Sequence, residues 1–394
     1  MATRGERRAV PAGGFSLERR QGRLGPVTVV QVVVVELVAF AVAAAAATEH
    51  GRPQVRTAVA GTLGLFALIV FFTRSRGDWW YAQGLRRRRW RRRRAAARRA
   101  GPGADPQLAT LSSLAPGFAV REVFDRDTRI GIGQDAGGWF AALAVHPDRG
   151  SPAVPLDRLA RLLADSPVPM SSISVVSHTV PAPSVLLDRQ VHAVQSYREL
   201  LGDDTVAAAQ RTWVAVRLAP ADASAAAASR GGGMAGVDRA VAAAVGRIGK
   251  ALSAIDLSSR VLDRAALTAA LAASFTPDAS VPDEQWRLWY SGGLAHTGLW
   301  LSRWPDQGPA ALFRALAGVP AALVSVAVTV LPPGAGGRYG VGCLVRVAAP
   351  PDSLARAVEE ARTAAGRTGA RLRRLDGDQA PVTYATAPTA AGVW

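Results

Sequence analysis

The sequence predicts an α/β (α+β) chain: two transmembrane helices at the N-terminus, then a cytoplasmic domain of two β-α-β-β-α-β units. Three observations predict it. Two long apolar runs lie within the first 73 residues, positive charge crowds their flanks, and beyond residue 117 the hydrophobic period alternates between strand-like and helix-like. The 394 residues suffice for two domains with substantial cores. The expected organisation is a basic N-terminus (1–26), a helical hairpin (27–73), a basic juxtamembrane segment and linker (74–117), a first α/β unit (118–275) and a second (276–394).

The first run, "VTVVQVVVVELVAFAVAAAAA" (27–47), has 21 residues. As a helix it is long enough to cross a hydrocarbon core of about 30 Å. The second, "TAVAGTLGLFALIVFFT" (57–73), has 17 and lies at the short end of the spanning range. Arginine flanks orient the hairpin. Arg4, Arg7, Arg8, Arg19, Arg20 and Arg23 precede it, and Arg74 and Arg76 follow it, whereas the loop holds only Arg52 and Arg56 beside Glu49. Both termini and the main domain are therefore expected in the cytoplasm, the protein being multi-pass in the cell membrane. A cleaved signal peptide is the competing reading, but the run exceeds a usual apolar signal core, and the second span would still anchor the chain.

Polar residues inside the first run are the candidates for membrane assembly. Glu36 sits near its midpoint, where an ionised carboxylate is costly and the second run supplies no cation. Either it is protonated or its partner belongs to another chain. Gln31 can hydrogen-bond between helices, and Ala60 and Gly64 form a small-xxx-small face that permits close approach.

After the second run comes "GDWWYAQGLRRRRWRRRR". Trp79, Trp80 and Tyr81 suit the headgroup zone as an aromatic belt. Arg86, Arg87, Arg88, Arg89, Trp90, Arg91, Arg92, Arg93 and Arg94 then suit an anionic membrane surface. Charge arithmetic disfavours nucleic acid. Of the formal +17, residues 1–100 carry 20 arginines against five acids, and the remainder carries 27 basic groups against 25 acidic ones. The main domain is thus nearly neutral, and no specific nucleic-acid partner is expected.

Beyond a linker rich in Ala, Gly and Pro, "FAVREVFD", "TRIGIG" and "GWFAALAVH" alternate as strands, with "GQDAGG" as a turn. "PLDRLARLLAD" places Leu156, Leu159, Leu162 and Leu163 at helical spacing. "SSISVVSHTV" and "RTWVAVRLAP" are strands around an insertion (181–210) containing the short helix "QSYRELLG". "ADASAAAASRGGG" reads as a flexible loop, "DRAVAAAVGRIGKALSAI" as an amphipathic helix and "SRVLD" as a short strand. The second half repeats the order: "LAHTGLWLSRW", helix "PAALFRALAG", strands "ALVSVAVTVLP" and "RYGVGCLVRVAA", helix "DSLARAVEEARTAAG" and strand "ARLRRLD". Each half spells the split unit of a ferredoxin-like sandwich.

Catalytic chemistry finds little purchase. The one lysine, Lys250, lies inside a helical pattern, so no phosphate-binding GxxxxGK[ST] loop exists. "GIGQDAGG" precedes a strand, not the helix that a dinucleotide fingerprint requires. His50, His146, His178, His192 and His296 lack metal-ligand spacing, and the single Cys343 sits in an apolar run as core filler. Asp125 and Asp127 suit a charged hairpin turn. Trp286, Trp289, Trp300 and Trp304 could line a sugar site, but their alternation suits core positions. No catalytic residue, cofactor or metal is expected.

Taken together, these segments resemble the EccE family, a membrane component of actinobacterial type VII secretion systems. The resemblance covers nearly the whole chain. It runs from the two apolar runs and "RGDWWYAQGLRRRRWRRRR" through "DTRIGIGQDAGGWFAAL", "PLDRLARLLADSPVPMSSISVVSHTVPAP", "QSYRELLG" and "QRTWVAVRLAP" to "WYSGGLAHTGLWLSRWP". It implies a non-enzymatic translocon subunit working alongside EccB, EccC and EccD, with the FtsK-like ATPase EccC supplying energy and WXG100-type proteins exported. The alternatives are a membrane-tethered enzyme acting on sugars and a membrane-bound nucleic-acid tether.

Overall fold

The structure, a computed structural model, describes residues 23–24, 27–47, 53–75, 78–99, 108–146, 154–187, 190, 192–201, 206–275, 282–306, 308–334 and 337–392. They fall into two compact units, Glu18–Ala96 and Ala97–Trp394.

In the first unit the two apolar runs form helices α1 (Val29–Ala47) and α2 (Pro53–Phe72). Both are helical although the valines of α1 lose side-chain freedom in a helix. Among the described residues, no helix is long and apolar enough to cross a membrane. The two expected spans stand here as a pair of apolar helices whose side chains are described only over 31–45 and 58–72. The arginine cluster, for which the sequence suggested no secondary structure, lies on helix α3 (Trp80–Arg99). Long unbranched arginine side chains lose little freedom in a helix, which favours it.

The second unit is built on one antiparallel sheet. A short helix α4 (Ala109–Leu114) precedes β1 (Ala119–Asp125), β2 (Thr128–Asp135) and β3 (Gly138–His146). Then come α5 (Leu156–Ala164), β4 (Ser172–Ala182), α6 (His192–Leu201), β5 (Val206–Leu218), α7 (Pro220–Ala228), α8 (Gly233–Ser253), β6 (Ser258–Val261) and α9 (Arg264–Phe275). The second half contains β7 (Asp283–Glu284), β8 (Trp289–Ser291), β9 (Leu294–Arg303), α10 (Pro309–Ala317), β10 (Leu323–Pro333), β11 (Tyr339–Ala349), α11 (Leu354–Arg367), β12 (Arg371–Arg374) and α12 (Gln379–Ala385).

The strand order is β7-β8-β9-β11-β10-β4-β5-β3-β2-β1, with β6 also on β3 and β12 also on β9. The two halves use their strands alike. β3 has β5 along one edge, and β2 then β6 along the other. β9 has β11 along one edge, and β8 then β12 along the other. The halves meet where β4 pairs with β10, Ile173–Thr179 against Val324–Val330.

Strand alternation gives the sheet two faces. On one, Leu143, Ile173 and Val216 pack beneath α5, α7 and α8, while Val326, Val345 and Leu299 pack beneath α10 and α11. On the other, a single core crosses both halves: Phe140, Val176, Trp213, Ala327 and Leu344 lie against α4, α9, α12 and the chain after α12.

Several local expectations need correction. "ADASAAAASRGGG" is not a loop throughout: Pro220 opens α7 at its first turn, and Ala223, Ala226 and Ala227 are buried. Alanine is the best helix former, and proline costs nothing at that position. Gly231, Gly232 and Gly233, all at positive φ, carry the chain from α7 into the start of α8. Within the juxtamembrane segment and linker (74–117), α3 and α4 are helical. Helices α9 and α12 were not foreseen. "FDRDTR" does form a hairpin turn, with Asp125 opposite Thr128 and Arg126 at φ 53°.

Candidate functional site

The face beneath α12 should be apolar by strand alternation, yet it carries a line of buried polar groups. Arg217 on β5 is the first. Its guanidinium grips Asp135, at the end of β2, through two parallel bonds of 2.7 and 2.8 Å. It also donates to the Thr389 carbonyl from Nε (3.0 Å) and Nη2 (2.9 Å). Tyr384 Oη and the Gly137 amide complete the carboxylate's shell. Burial opposes the Asp135 charge, but the Arg217 charge and these hydrogen bonds hold its carboxyl below the usual carboxylate range. Burial also opposes the Arg217 cation, and Asp135 outweighs it, so that guanidinium is held protonated above its ordinary value.

Further along, His178 Nε2 donates to the Thr386 carbonyl at 3.0 Å, and Ser172 Oγ donates to the Ala390 carbonyl at 2.7 Å. Burial, reinforced by the Arg346 charge, lowers the His178 value to about 3. That ring is neutral at physiological pH, with its proton on the nitrogen facing the carbonyl. The three side chains from β4 and β5 thus hold the backbone of residues 386–390 by its carbonyl oxygens. The side chains of that stretch are small, and Ala387, Thr389 and Ala390 are fully buried. Gly298 admits α12 to the sheet, because a Cβ there would lie 2.4 Å from Val382 Cγ1.

The second buried cation is Arg346, on β11. It meets His296 Nδ1 at 3.2 Å and donates to the Ser274 carbonyl (2.7 Å) and Ser325 Oγ (3.0 Å). Ser274 lies in the last turn of α9, where orphan carbonyls and the negative end of the helix dipole favour a cation. Ser291 Oγ takes the neighbouring Phe275 carbonyl at 2.9 Å. Burial lowers the Arg346 value to about 9 and, with the Arg346 charge, holds His296 well below its ordinary value.

These groups act as braces. Each histidine faces a carbonyl or an arginine rather than a nucleophile, and the Tyr384 hydroxyl is pushed far up by burial, so it holds its proton. Burial pushes the Cys343 thiol up to about 12, which keeps it from being a thiolate. Among the described residues no group of three His, Cys, Asp or Glu could hold a metal ion. Trp289 is buried edge-on against Phe275 and His296, and Trp300 and Trp304 pack against the cores. Sequence reading missed this network, although its signal was present: an arginine within an apolar strand pattern in "WVAVRL" and again in "CLVRVAA".

The hairpin unit holds the other candidates. Gln31 is buried, and its Nε2 donates to the Phe71 carbonyl at 2.8 Å. Gly64 is buried where a Cβ would come within 2.7 Å of Val38 Cγ1, so the close approach is between α1 and α2 of the same chain. Ala60 and Gly64 line an apolar crevice of about 580 Å³ with Val34, Val38 and Ala41. Glu36 is exposed. Tyr81 stacks on Phe71 at 5.0 Å and Trp79 meets Phe72 edge-on at 6.3 Å, while Trp80 is half exposed. On α3, Arg87, Arg88, Arg89, Arg91 and Arg92 are exposed. Arg86, Trp90, Arg93 and Arg94 form a half-buried stripe, with Arg94 over the Trp90 ring at 5.4 Å.

No curated protein matches the chain. A family model does, over residues 206–301, from the start of β5 to within β9. Its description is "Putative type VII ESX secretion system translocon, EccE". The matched segment includes Arg217, Ser274 and His296 of the buried network. Over that segment the chain is similar to the EccE family.

Proposed function

We propose that the protein is a membrane-anchored, non-enzymatic subunit that scaffolds or stabilises a type VII translocon exporting WXG100-type proteins. The observation that carries this is the surface of the hairpin. Leu37, Phe40, Leu63 and Phe66 are each 60 % exposed or more, on two predominantly apolar helices. Water penalises such a surface, whereas a bilayer is its natural solvent. Both termini then lie in the cytoplasm, and the exposed arginines of α3 face anionic headgroups.

The α/β unit is the rigid body presented by this anchor. Each of its halves has the order fourth-first-third-second for the strands of a β-α-β-β-α-β unit, which supports the ferredoxin-like reading. Its buried ionisable groups brace the fold, which favours assembly over catalysis. The partners in this reading are EccB, EccC and EccD. Mild-detergent extraction tests it: the protein should comigrate with these subunits, and its deletion should lower the yield of their complex. A protein that runs alone, with assembly of the others unchanged, overturns the reading.

A further inference from the structure

Glu36 and Gln31 are the two polar side chains of α1, and the fold treats them oppositely. The pairs Gln31–Phe71 and Val38–Gly64 fix how the two helices face each other. At about 100° per residue, Glu36 points roughly 160–200° away from Val38 and Val34, the α2-facing side of α1. It is exposed on a face with Val33, Leu37 and Phe40, the last 74 % exposed. The two helices hold one basic residue, Arg56, in the first turn of α2. Continuing the same register, Arg56 lies level with residue 46, about 15 Å along the axis from Glu36.

We propose that the Glu36 face of α1 is a docking surface for a transmembrane helix of another subunit. That helix presents a basic or hydrogen-bond-donating side chain at the depth of Glu36. The inference rests on the membrane-anchored reading above. In a bilayer a carboxylate facing lipid tails is strongly disfavoured, so this face requires cover. Neither α1 nor α2 supplies a cation at that depth. Two ionised Glu36 carboxylates from two copies of the chain would repel, whereas a basic or donating side chain lets Glu36 keep its charge. Charge complementarity therefore selects a different chain, with Phe40 and Leu37 packing beside the polar contact.

The test uses the full-length chain in native membranes together with its partner subunits. A photo-crosslinking phenylalanine analogue replaces Phe40. The expected adduct joins this chain to a membrane helix of another subunit, at a peptide holding Lys, Arg, His, Asn or Gln within one helical turn. Its yield should fall roughly five- to thirtyfold with Glu36→Leu and less with Glu36→Gln, which keeps hydrogen-bonding capacity. An adduct between two copies of this chain, an adduct to lipid alone, or a heteromeric adduct indifferent to Glu36→Leu overturns the inference. Alkaline carbonate extraction run in parallel separates the two levels. A chain released by carbonate overturns the membrane reading and this inference together. A retained chain with the wrong adduct overturns the inference alone.

Discussion

The two units of this protein are turned inside out relative to one another. In the α/β unit, leucine, valine and isoleucine fill three large cores, and charges either lie at the surface or are buried against specific partners, as Arg217 is against Asp135 and Arg346 against the Ser274 carbonyl. In the hairpin, the large apolar side chains point outward, while an amide, Gln31, is fully buried between the helices. One set of physical rules produces both patterns if the solvent differs: water outside one unit, hydrocarbon outside the other. The same difference explains why glycine has separate duties. Gly231–Gly233 break a chain that alanine would otherwise keep helical, whereas Gly64 lets two apolar helices meet.

The largest expected effect breaks the buried pair. Arg217→Ala leaves the Asp135 carboxylate buried without a counter-charge and frees the Thr389 carbonyl. Urea unfolding followed by tryptophan fluorescence should show a loss of about 3–5 kcal/mol. Combining Arg217→Met with Asp135→Leu should recover part of that loss, since no buried charge remains. A single-variant loss near zero would mean that the tail over the sheet is held by packing alone.

Next comes the hairpin. Gly64→Leu should destabilise the packing of α1 on α2 by about 1–3 kcal/mol, because overpacking forces the helices apart. Gly61→Leu is the control, since a Cβ there meets nothing within 4 Å. Thermal unfolding in detergent micelles compares the two, and equal effects would contradict the pairing described.

The α/β unit should also respond to pH. Burial lowers the folded values of His178 and His296 below that of a free histidine near 6.5. The unfolded chain therefore binds more protons in acid. Stability from these sites is full above about pH 6.5 and declines as pH falls, by about 1.4 kcal/mol per unit per histidine. His178→Gln should flatten the decline in chemical-denaturation curves between pH 6.5 and 4.5. At the small end, Arg161→Ala removes an ion pair with Asp157 that is mostly exposed on both sides. It should shift the unfolding midpoint by less than about 0.5 kcal/mol.

What the sequence made legible follows from period and composition. Leu156, Leu159 and Leu163 sit on α5 as their spacing requires, the "DAGG" turn joins β2 to β3, and the apolar runs are helices. What it hid depended on contacts distant in the chain. "TYATAPTAAG" has the small, polar look of a loop, yet it is buried because His178, Arg217 and Ser172 hold its carbonyls. Arg346 and Arg217 broke the apolar pattern of their strands, but only the fold shows that a helix end and a carboxylate await them. Gly64 pointed to close helix packing without saying which helix. Its partner, Val38, lies 26 positions earlier in the same chain.

The account depends most on the hairpin's solvent. Substituted-cysteine labelling in intact cells measures this directly, because the native Cys343 is buried and silent. The account predicts that a membrane-impermeant maleimide labels Glu49→Cys from outside the cell. Exposed sites such as Arg88→Cys and Asp157→Cys should react only after the membrane is permeabilised. Labelling of all three sites from the same side would contradict the account.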